Sequence, residues 1–132
     1  MVLGRTQNID FVVADCGFSN LYDLMKEIYS ASNMGFITPL VNTAMRFKFG
    51  YDMKKTSPRD ALKDNDVPVC FIHGEGDTFI NTEHSKINKE ADSGYLEIHI
   101  IKGAAHAQSR EVMGEANYRG IITEFLNNIE FE

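Results

Sequence analysis

The chain has 132 residues, of which 43% are hydrophobic and 24% are charged, and its net charge is −6. A chain of this length forms one domain and buries roughly two-thirds of its unfolded surface, so it needs no disulfide or metal to fold. The acidic balance argues against nucleic acid or an anionic membrane as a partner, because both require clustered Lys and Arg. No apolar run approaches the roughly 20 residues of a membrane-spanning helix.

The amino terminus and the cysteines indicate a compartment. Residues 1–5 lack the apolar core of a secretion signal, which favours a cytoplasmic location. Cys16 and Cys70 lie inside or at the end of apolar runs that predict buried strands. Such positions favour free thiols that act as small apolar fillers in a reducing compartment over a disulfide or a catalytic thiol.

The first predicted elements, in chain order, are a strand and a helix. The segment of residues 9–14 is short, largely apolar and rich in β-branched residues. This pattern predicts an interior strand with neighbours on both sides. Apolar side chains then recur at helical spacing over residues 21–29. Ser19 or Asn20 can cap this helix, because both side chains accept hydrogen bonds from the first turn.

More helices follow in the segment of residues 20–60. Thr38-Pro39 and Ser57-Pro58 each predict a helix start, because Pro fits the first helical position. The first of these helices runs towards residue 49 and the second is short. The segment is rich in Met and aromatic residues, which could cover an apolar substrate. Packing within the helices is the favoured reading, since such side chains usually lie in a core.

The second predicted strand covers residues 67–72 and is apolar on both faces, as in a buried parallel sheet. It ends in the turn His73-Gly74-Glu75-Gly76-Asp77, which delivers a carboxylate to the carboxyl edge of the sheet. Open α/β sheets keep their sites at that edge.

The rest of the chain completes the pattern. A polar helix is predicted from Asn81 or Thr82 to Ala91, a strand over residues 95–101, and a terminal helix with a clear apolar period over residues 118–129. Strands that alternate with helices imply right-handed crossovers and a parallel sheet. The sequence therefore predicts a single α/β domain over residues 1–132, with about three parallel strands.

An acid and an imidazole follow two successive strands of this sheet. Asp77 and His106 are separated by 29 residues and one crossover helix. Turns that leave adjacent parallel strands lie side by side, so Asp77 can orient the His106 ring. Taken singly, the Asp is more often a turn former and the His a structural residue, but their joint placement favours a catalytic pair.

These residues resemble a known family. Residues 67–80, together with residues 100–109 and the terminal helix, look like the C-terminal part of an α/β-hydrolase, in particular the cytosolic bacterial esterase and serine aminopeptidase-like branch. The resemblance implies that the His-Gly-x-x-Asp turn carries the triad acid, Asp77, and that the Gly-x-x-His turn carries the triad base, His106. Residues 20–60 would correspond to the variable helical cap.

The sequence departs from the family in one important respect. Ile80-Asn81 and Ala105 replace residues that are frequent in the family, but no functional atom is lost. The Gly-x-Ser-x-Gly nucleophile elbow, however, does not occur in the sequence. Gly17-Phe18-Ser19 lacks the second Gly and follows the strand that should come after the elbow. We therefore expect a fragment of a serine hydrolase for ester, thioester or small amide bonds in a small acyl substrate, nearly inactive alone.

Other readings stay open. The strand over residues 9–14 would leave an apolar edge if nothing precedes it, so a non-enzymatic, self-associating α/β module is the alternative. Either way we expect a homo-oligomer, formed through that edge or through the Met-rich helices. A complete small doubly wound binding domain is a third reading, but no ligand motif supports it.

No metal or cofactor is expected. His73 and Asp77 could be metal ligands, but the sequence shows no third ligand. Gly74-x-Gly76 lacks the third Gly and the helix start of a phosphate loop. His84 is read as a surface or helix-packing residue.

Overall fold

The structure, a computed structural model, describes residues 9–129. Three strands lie in this range: β1 (Val12–Asp15), β2 (Val69–Gly74) and β3 (Leu96–Ile101). The α-helices are α1 (Leu21–Ser30), α2 (Thr38–Phe49), α3 (Pro58–Leu62), α4 (Glu83–Ala91), α5 (Ser109–Met113) and α6 (Glu115–Asn128). Single 3-10 turns occupy Gly35–Ile37 and Met53–Lys55. Residues 1–5, which lack a secretion-signal core, lie outside this range. Across residues 9–129, no helix combines the length and the apolar character needed to cross a membrane.

The three strands form one parallel sheet in the order β1-β2-β3. This confirms the predicted parallel α/β architecture. The register pairs Val69 of β2 with Val12 of β1 and with Leu96 of β3. All six residues of β2 are buried, as its continuous apolar run indicates. Within the described residues β1 pairs with β2 alone, so the strand predicted to be interior lies at an edge.

Helices cover both faces of the sheet. On one face, Val69 and Phe71 of β2 pack against Leu62 of α3. On the other face, Cys70 and Ile72 join a core that includes Phe125 of α6. Successive β2 side chains alternate between the two faces because a strand has a period of two residues. The terminal helix therefore packs where its apolar stripe predicts.

Residues 20–60 form the predicted helical insertion between β1 and β2. Asn20 caps α1, because its Oδ1 accepts hydrogen bonds from the backbone N–H groups of Tyr22 and Asp23 at 2.8 and 3.3 Å. α2 begins at Thr38, one residue before Pro39, and the Thr38 hydroxyl donates to the Gly35 carbonyl. α2 packs against α1 and the preceding 3-10 turn, and so forms the outer layer of the insertion.

One short helix has no counterpart in the sequence prediction. α5 precedes the terminal helix and is separated from it by Gly114, which has a φ of 77°. A helix of five residues is too short to show an apolar period, so its residues carried no signal. Ser109, at its first position, is buried and donates to a carboxylate oxygen of Asp15 at 3.3 Å.

Candidate active site

Two turns meet at the carboxyl edge of the sheet, one after β2 and one after β3. The Glu75 N–H donates to the Ile101 carbonyl, and the Gly76 N–H donates to the Ala104 carbonyl, both at 2.9 Å. A Cβ atom on Gly74 would lie 2.5 Å from the Ala104 carbonyl oxygen. The close approach of the two turns therefore requires glycine at this position.

The turns bring Asp77 and His106 into direct contact. Oδ2 of Asp77 lies 2.8 Å from Nδ1 of His106. The carboxylate can only accept, so Nδ1 donates the proton and Nε2 carries the lone pair that a general base needs. The Asp77 side chain is fully buried, whereas that of His106 is 38% exposed. The two residues singled out in the sequence are thus hydrogen-bonded, and their catalytic role stays a prediction.

The second oxygen of Asp77 is held by the backbone. Oδ1 accepts from the N–H groups of Phe79 and Ile80 at 2.9 and 2.8 Å. Burial by itself would raise the pKa of Asp77, but hydrogen bonds from Ile80, His106 and Phe79 outweigh it and hold that pKa below its ordinary value. The acid is therefore charged at neutral pH, as a partner for an imidazolium must be. The Phe79 ring packs edge-on against the His106 ring, with centroids 5.0 Å apart.

His73 supports the acid from behind. Its Nε2 donates to the Ile80 carbonyl at 2.7 Å and lies 3.3 Å from Oδ2 of Asp77. In the neutral ring, Nδ1 then accepts from the Ser85 hydroxyl at 2.7 Å. The side chain is completely buried. Because the N–H of the same residue, Ile80, donates to Asp77, His73 helps to fix the residue that holds the acid. Through Ser85, His73 also connects this turn to α4.

Comparisons with known proteins identify the fold. Neither a protein-family model nor a curated protein matches the sequence significantly. An α/β-hydrolase enzyme from the metagenome of lagoon sediments at Mar Chica, Morocco, matches with a TM-score of 0.58 at 17% identity, over 92% of this chain and 52% of that chain. The acylaminoacyl peptidase of Pyrococcus horikoshii matches with a TM-score of 0.61 at 19% identity, over 93% and 21%. A thermophilic esterase from the Planctomycetes species Thermogutta terrifontis matches with a TM-score of 0.54 at 22% identity, over 64% and 33%.

The chain has an α/β-hydrolase fold. It spans about half or less of the length of these three solved structures, between 21% and 52%. This confirms the predicted resemblance to the C-terminal part of an α/β-hydrolase. The identities are low, so the likeness concerns the fold, and the chemistry has to be argued from the residues of this chain.

In this α/β-hydrolase fold, Cys16 also borders the acid. It follows β1 directly and adopts a left-handed backbone with a φ of 54°, which is uncommon for a residue other than glycine. Its sulfur accepts hydrogen bonds from the backbone N–H groups of Ala107, at 3.3 Å, and Gly74. Burial raises the pKa of Cys16 to about 11, so the thiol is protonated, and its single S–H is within reach of Asp15, at 3.2 Å, and of Asp77. The thiol therefore helps to hold the three turns together.

Cys16, His73 and Asp77 are also the residues to consider for a metal. One ligand atom of each lies within 4.8 Å of the others, so the structure provides the third group that the sequence did not show. Both ring nitrogens of His73, however, already make hydrogen bonds of 2.7 Å, and the Cys16 thiol is protonated. A metal would have to replace one of these ring hydrogen bonds and displace the thiol proton. The cluster fits a hydrogen-bonded support for the acid better than a metal centre.

Ser19, in the sequence segment nearest to a nucleophile motif, lies elsewhere. Its N–H and hydroxyl both approach Nδ1 of His84, at 3.2 and 2.8 Å. Because the N–H must donate, Nδ1 is the acceptor, and Nε2 carries the proton towards Oε2 of Glu27 at 3.2 Å. Ser19 is fully buried, and the contacts join the start of the insertion and α1 to α4. His84 is thus a packing residue, as expected, and Ser19 is not paired with His106.

The supporting residues were missed in the sequence for a clear reason. From the sequence alone, the position of Cys16 indicates an apolar filler, and His73 stands out only as a possible metal ligand. A usable signal existed for Cys16, because it follows β1 at the same carboxyl edge at which Asp77 follows β2. For His73 no local signal exists, since its position inside a buried strand gives no indication of the partners of its ring.

Proposed function

We propose that the chain is the C-terminal part of a serine hydrolase that acts on ester, thioester or small amide bonds. The buried Asp77 carboxylate, 2.8 Å from Nδ1 of the partly exposed His106, carries the proposal. The pair lies at the carboxyl edge of an α/β-hydrolase fold, where this chemistry needs it. An esterase and an acylaminoacyl peptidase among the structural neighbours support the class of bond.

The proposed mechanism assigns one role to each residue. Asp77 holds the proton on Nδ1 and stabilises the imidazolium once it forms. Nε2 of His106 takes the proton from a serine hydroxyl as that oxygen attacks the acyl carbon, and then gives the proton to the leaving group. Phe79 fixes the plane of the imidazole through its ring contact.

In this proposal the nucleophile and the oxyanion donors come from outside this chain. The sequence contains no Gly-x-Ser-x-Gly elbow, and Ser19 is buried against His84. Oxyanion donors and the nucleophile supply most of the rate in acyl transfer. We therefore expect the isolated chain to be nearly inactive.

Two measurements test the proposal. Proton NMR should show a low-field Nδ1–H resonance from His106 that disappears in Asp77→Asn, whether or not a nucleophile is present. If the unsubstituted chain lacks this resonance, the hydrogen bond between His106 and Asp77 is contradicted. Hydrolysis of a short-chain nitrophenyl ester should not exceed the buffer rate, and His106→Ala should change nothing. Turnover that His106→Ala abolishes would reveal a nucleophile in this chain and overturn only the expected inactivity.

A second candidate function is that of a non-enzymatic, self-associating module. The free edge of β1 favours it, because within residues 9–129 this strand pairs with β2 alone. The N–H groups of Val12 and Cys16 point to β2, so the alternate N–H of Val13 points to the free edge. A homo-oligomer in sedimentation experiments that Val13→Pro dissociates, with the circular dichroism unchanged, would support this function. A strictly monomeric chain at high concentration would exclude it.

A further inference from the structure

The outer face of α2 exposes large apolar side chains. The opposite face packs into the insertion through Thr38 and Asn42, which are buried. Leu40 and Phe47 on the outer face are 71% and 88% exposed, and Phe36 in the preceding 3-10 turn is 79% exposed. Scattered apolar residues are normal on a protein surface, but a group of this size on one helix and the turn before it indicates a contact surface.

Helical spacing places cations on both sides of this apolar stripe. Leu40, Thr43 and Phe47 follow the i, i+3, i+7 pattern and lie along one line of the helix. Arg46 and Lys48 are one residue before and after Phe47, about 100° to either side of it. Thr43, Arg46 and Phe47 line a shallow cavity of about 270 Å³. The stripe thus exposes two large apolar side chains, Leu40 and Phe47, and Phe47 has a cation on either side.

The charge of this segment is opposite to that of the whole chain. Residues 33–57 contain four Lys or Arg residues and one Asp, a net charge of +3, whereas the full chain carries −6. The acid, Asp52, accepts from Asn42 at 3.0 Å and lies 3.7 Å from Arg46. Lys48 lies over the Phe49 ring at 5.3 Å. The net charge of −6 therefore averages over an uneven distribution, and this segment can attract an anionic membrane.

We propose that the outer face of α2 binds the surface of an anionic lipid bilayer. Phe36, Leu40 and Phe47 would enter the boundary between headgroups and acyl chains, where aromatic rings are favoured. Arg46 and Lys48 would reach the lipid phosphates from the two flanks, since long basic side chains extend to the headgroup level. The helix would lie in the plane of the surface. This inference does not depend on the proposed hydrolase chemistry.

The charge also argues against a second copy of the chain as the occupant of this face. A two-fold contact pairs the same patch with itself, so two segments of charge +3 would meet. Like charges across an interface are unfavourable, whereas anionic lipid supplies the opposite sign over the whole width of the stripe. Neutral lipid would accommodate the aromatic residues but would not supply the negative charge that favours the flanking cations.

Cosedimentation of the full chain with vesicles tests the proposal. Vesicles that contain phosphatidylserine should bind at least tenfold more tightly than pure phosphatidylcholine, and added salt should weaken the binding. Phe47→Ser should weaken it about tenfold. Arg46→Gln with Lys48→Gln should weaken it about 25-fold, at about fivefold per cation.

Matched variants separate this face from general effects of charge and hydrophobicity. Lys63→Gln with Lys86→Gln removes the same charge from exposed positions on other elements, and should change vesicle affinity less than twofold. Val112→Ser removes another exposed apolar side chain, on α5, and should also change it less than twofold. Circular dichroism checks that each variant is folded.

Three results would overturn the proposal. The first is equal binding to both kinds of vesicle or to neither. The second is an equal loss of affinity in the Lys63/Lys86 control. The third is a chain that fails to bind vesicles but forms an oligomer that Phe47→Ser dissociates, which would assign the face to a second copy.

Discussion

Replacing Gly74 by Ala should separate the two turns that carry the candidate acid and base. The new Cβ would lie 2.5 Å from the Ala104 carbonyl oxygen and 2.6 Å from that of Ala105. Both oxygens belong to the backbone, so neither can rotate away and the turn after β3 has to move. Overpacking of this kind costs about 1–3 kcal/mol. The lower entropy of the unfolded Ala chain offsets about 0.4–1 kcal/mol of that. We expect the free energy of unfolding to fall by about 1–2 kcal/mol, out of the roughly 5–15 kcal/mol typical of a domain.

Two other glycines provide controls for this substitution. A Cβ on Gly76 would lie 3.3 Å from the same Ala104 oxygen, so Gly76→Ala should cost less than about 1 kcal/mol. Gly120 in α6 has nothing within 4 Å, and Gly120→Ala should add about 0.5–1 kcal/mol through helix propensity. Urea unfolding measures all three changes. The low-field Nδ1–H resonance of His106 should vanish in Gly74→Ala only. Equal stability of the Gly74 and Gly76 variants would show that the backbone of the turn after β3 does not exclude a Cβ atom at Gly74.

Three further predictions concern ionisation and the insertion. The folded-state pKa of Asp77 lies below its unfolded value, so the carboxylate contributes stability that is lost as the pH falls below about 4. In Asp77→Asn the free energy of unfolding should therefore depend less steeply on pH in that range. An unchanged acid slope would contradict this. Burial raises the pKa of Cys16 and of Cys70 to about 11, so both thiols should react slowly with Ellman's reagent until urea unfolds the chain. Fast reaction of either native thiol would count against their burial. Ser19→Ala should cost about 1–2 kcal/mol in urea unfolding, because it leaves the buried His84 with fewer partners, and a loss below about 0.3 kcal/mol would exclude this role.

The sheet and the Asp77–His106 contact were predictable because each rests on a local pattern and one topological rule. The continuous apolar run before His73 indicates a strand buried on both faces, and the glycine-containing turn ends it. Right-handed crossovers then make successive strands parallel, and their carboxyl ends share one edge. The proximity of Asp77 and His106, which are 29 positions apart, can therefore be predicted without any knowledge of their side-chain contacts.

The supporting contacts were not predictable, because they join residues that no local pattern connects. The Ala107 N–H reaches the Cys16 sulfur across 91 positions, and Ser19 reaches His84 across 65. A sequence gives the residue types at such sites, but hydrogen-bond partners depend on how whole elements pack. Charge shows the same limitation, since a net value of −6 hides the positive segment at residues 33–57.

The first turn of α4 shows how the fold keeps the candidate acid in place. His84 and Ser85 are consecutive, so their side chains leave the helix about 100° apart and reach different elements. Ser85 bonds to His73 behind the acid, and His84 bonds to Ser19 at the start of the insertion. These contacts are buried, where hydrogen bonds are strong and hard to replace by water. Backbone bonds from the other side tie the acid turn to the turn that carries His106. The contacts within this chain therefore suffice to position the acid and the base. This is required if, as proposed, the nucleophile comes from outside this chain. The part that supplies the proton shuttle must hold its geometry before a nucleophile reaches it.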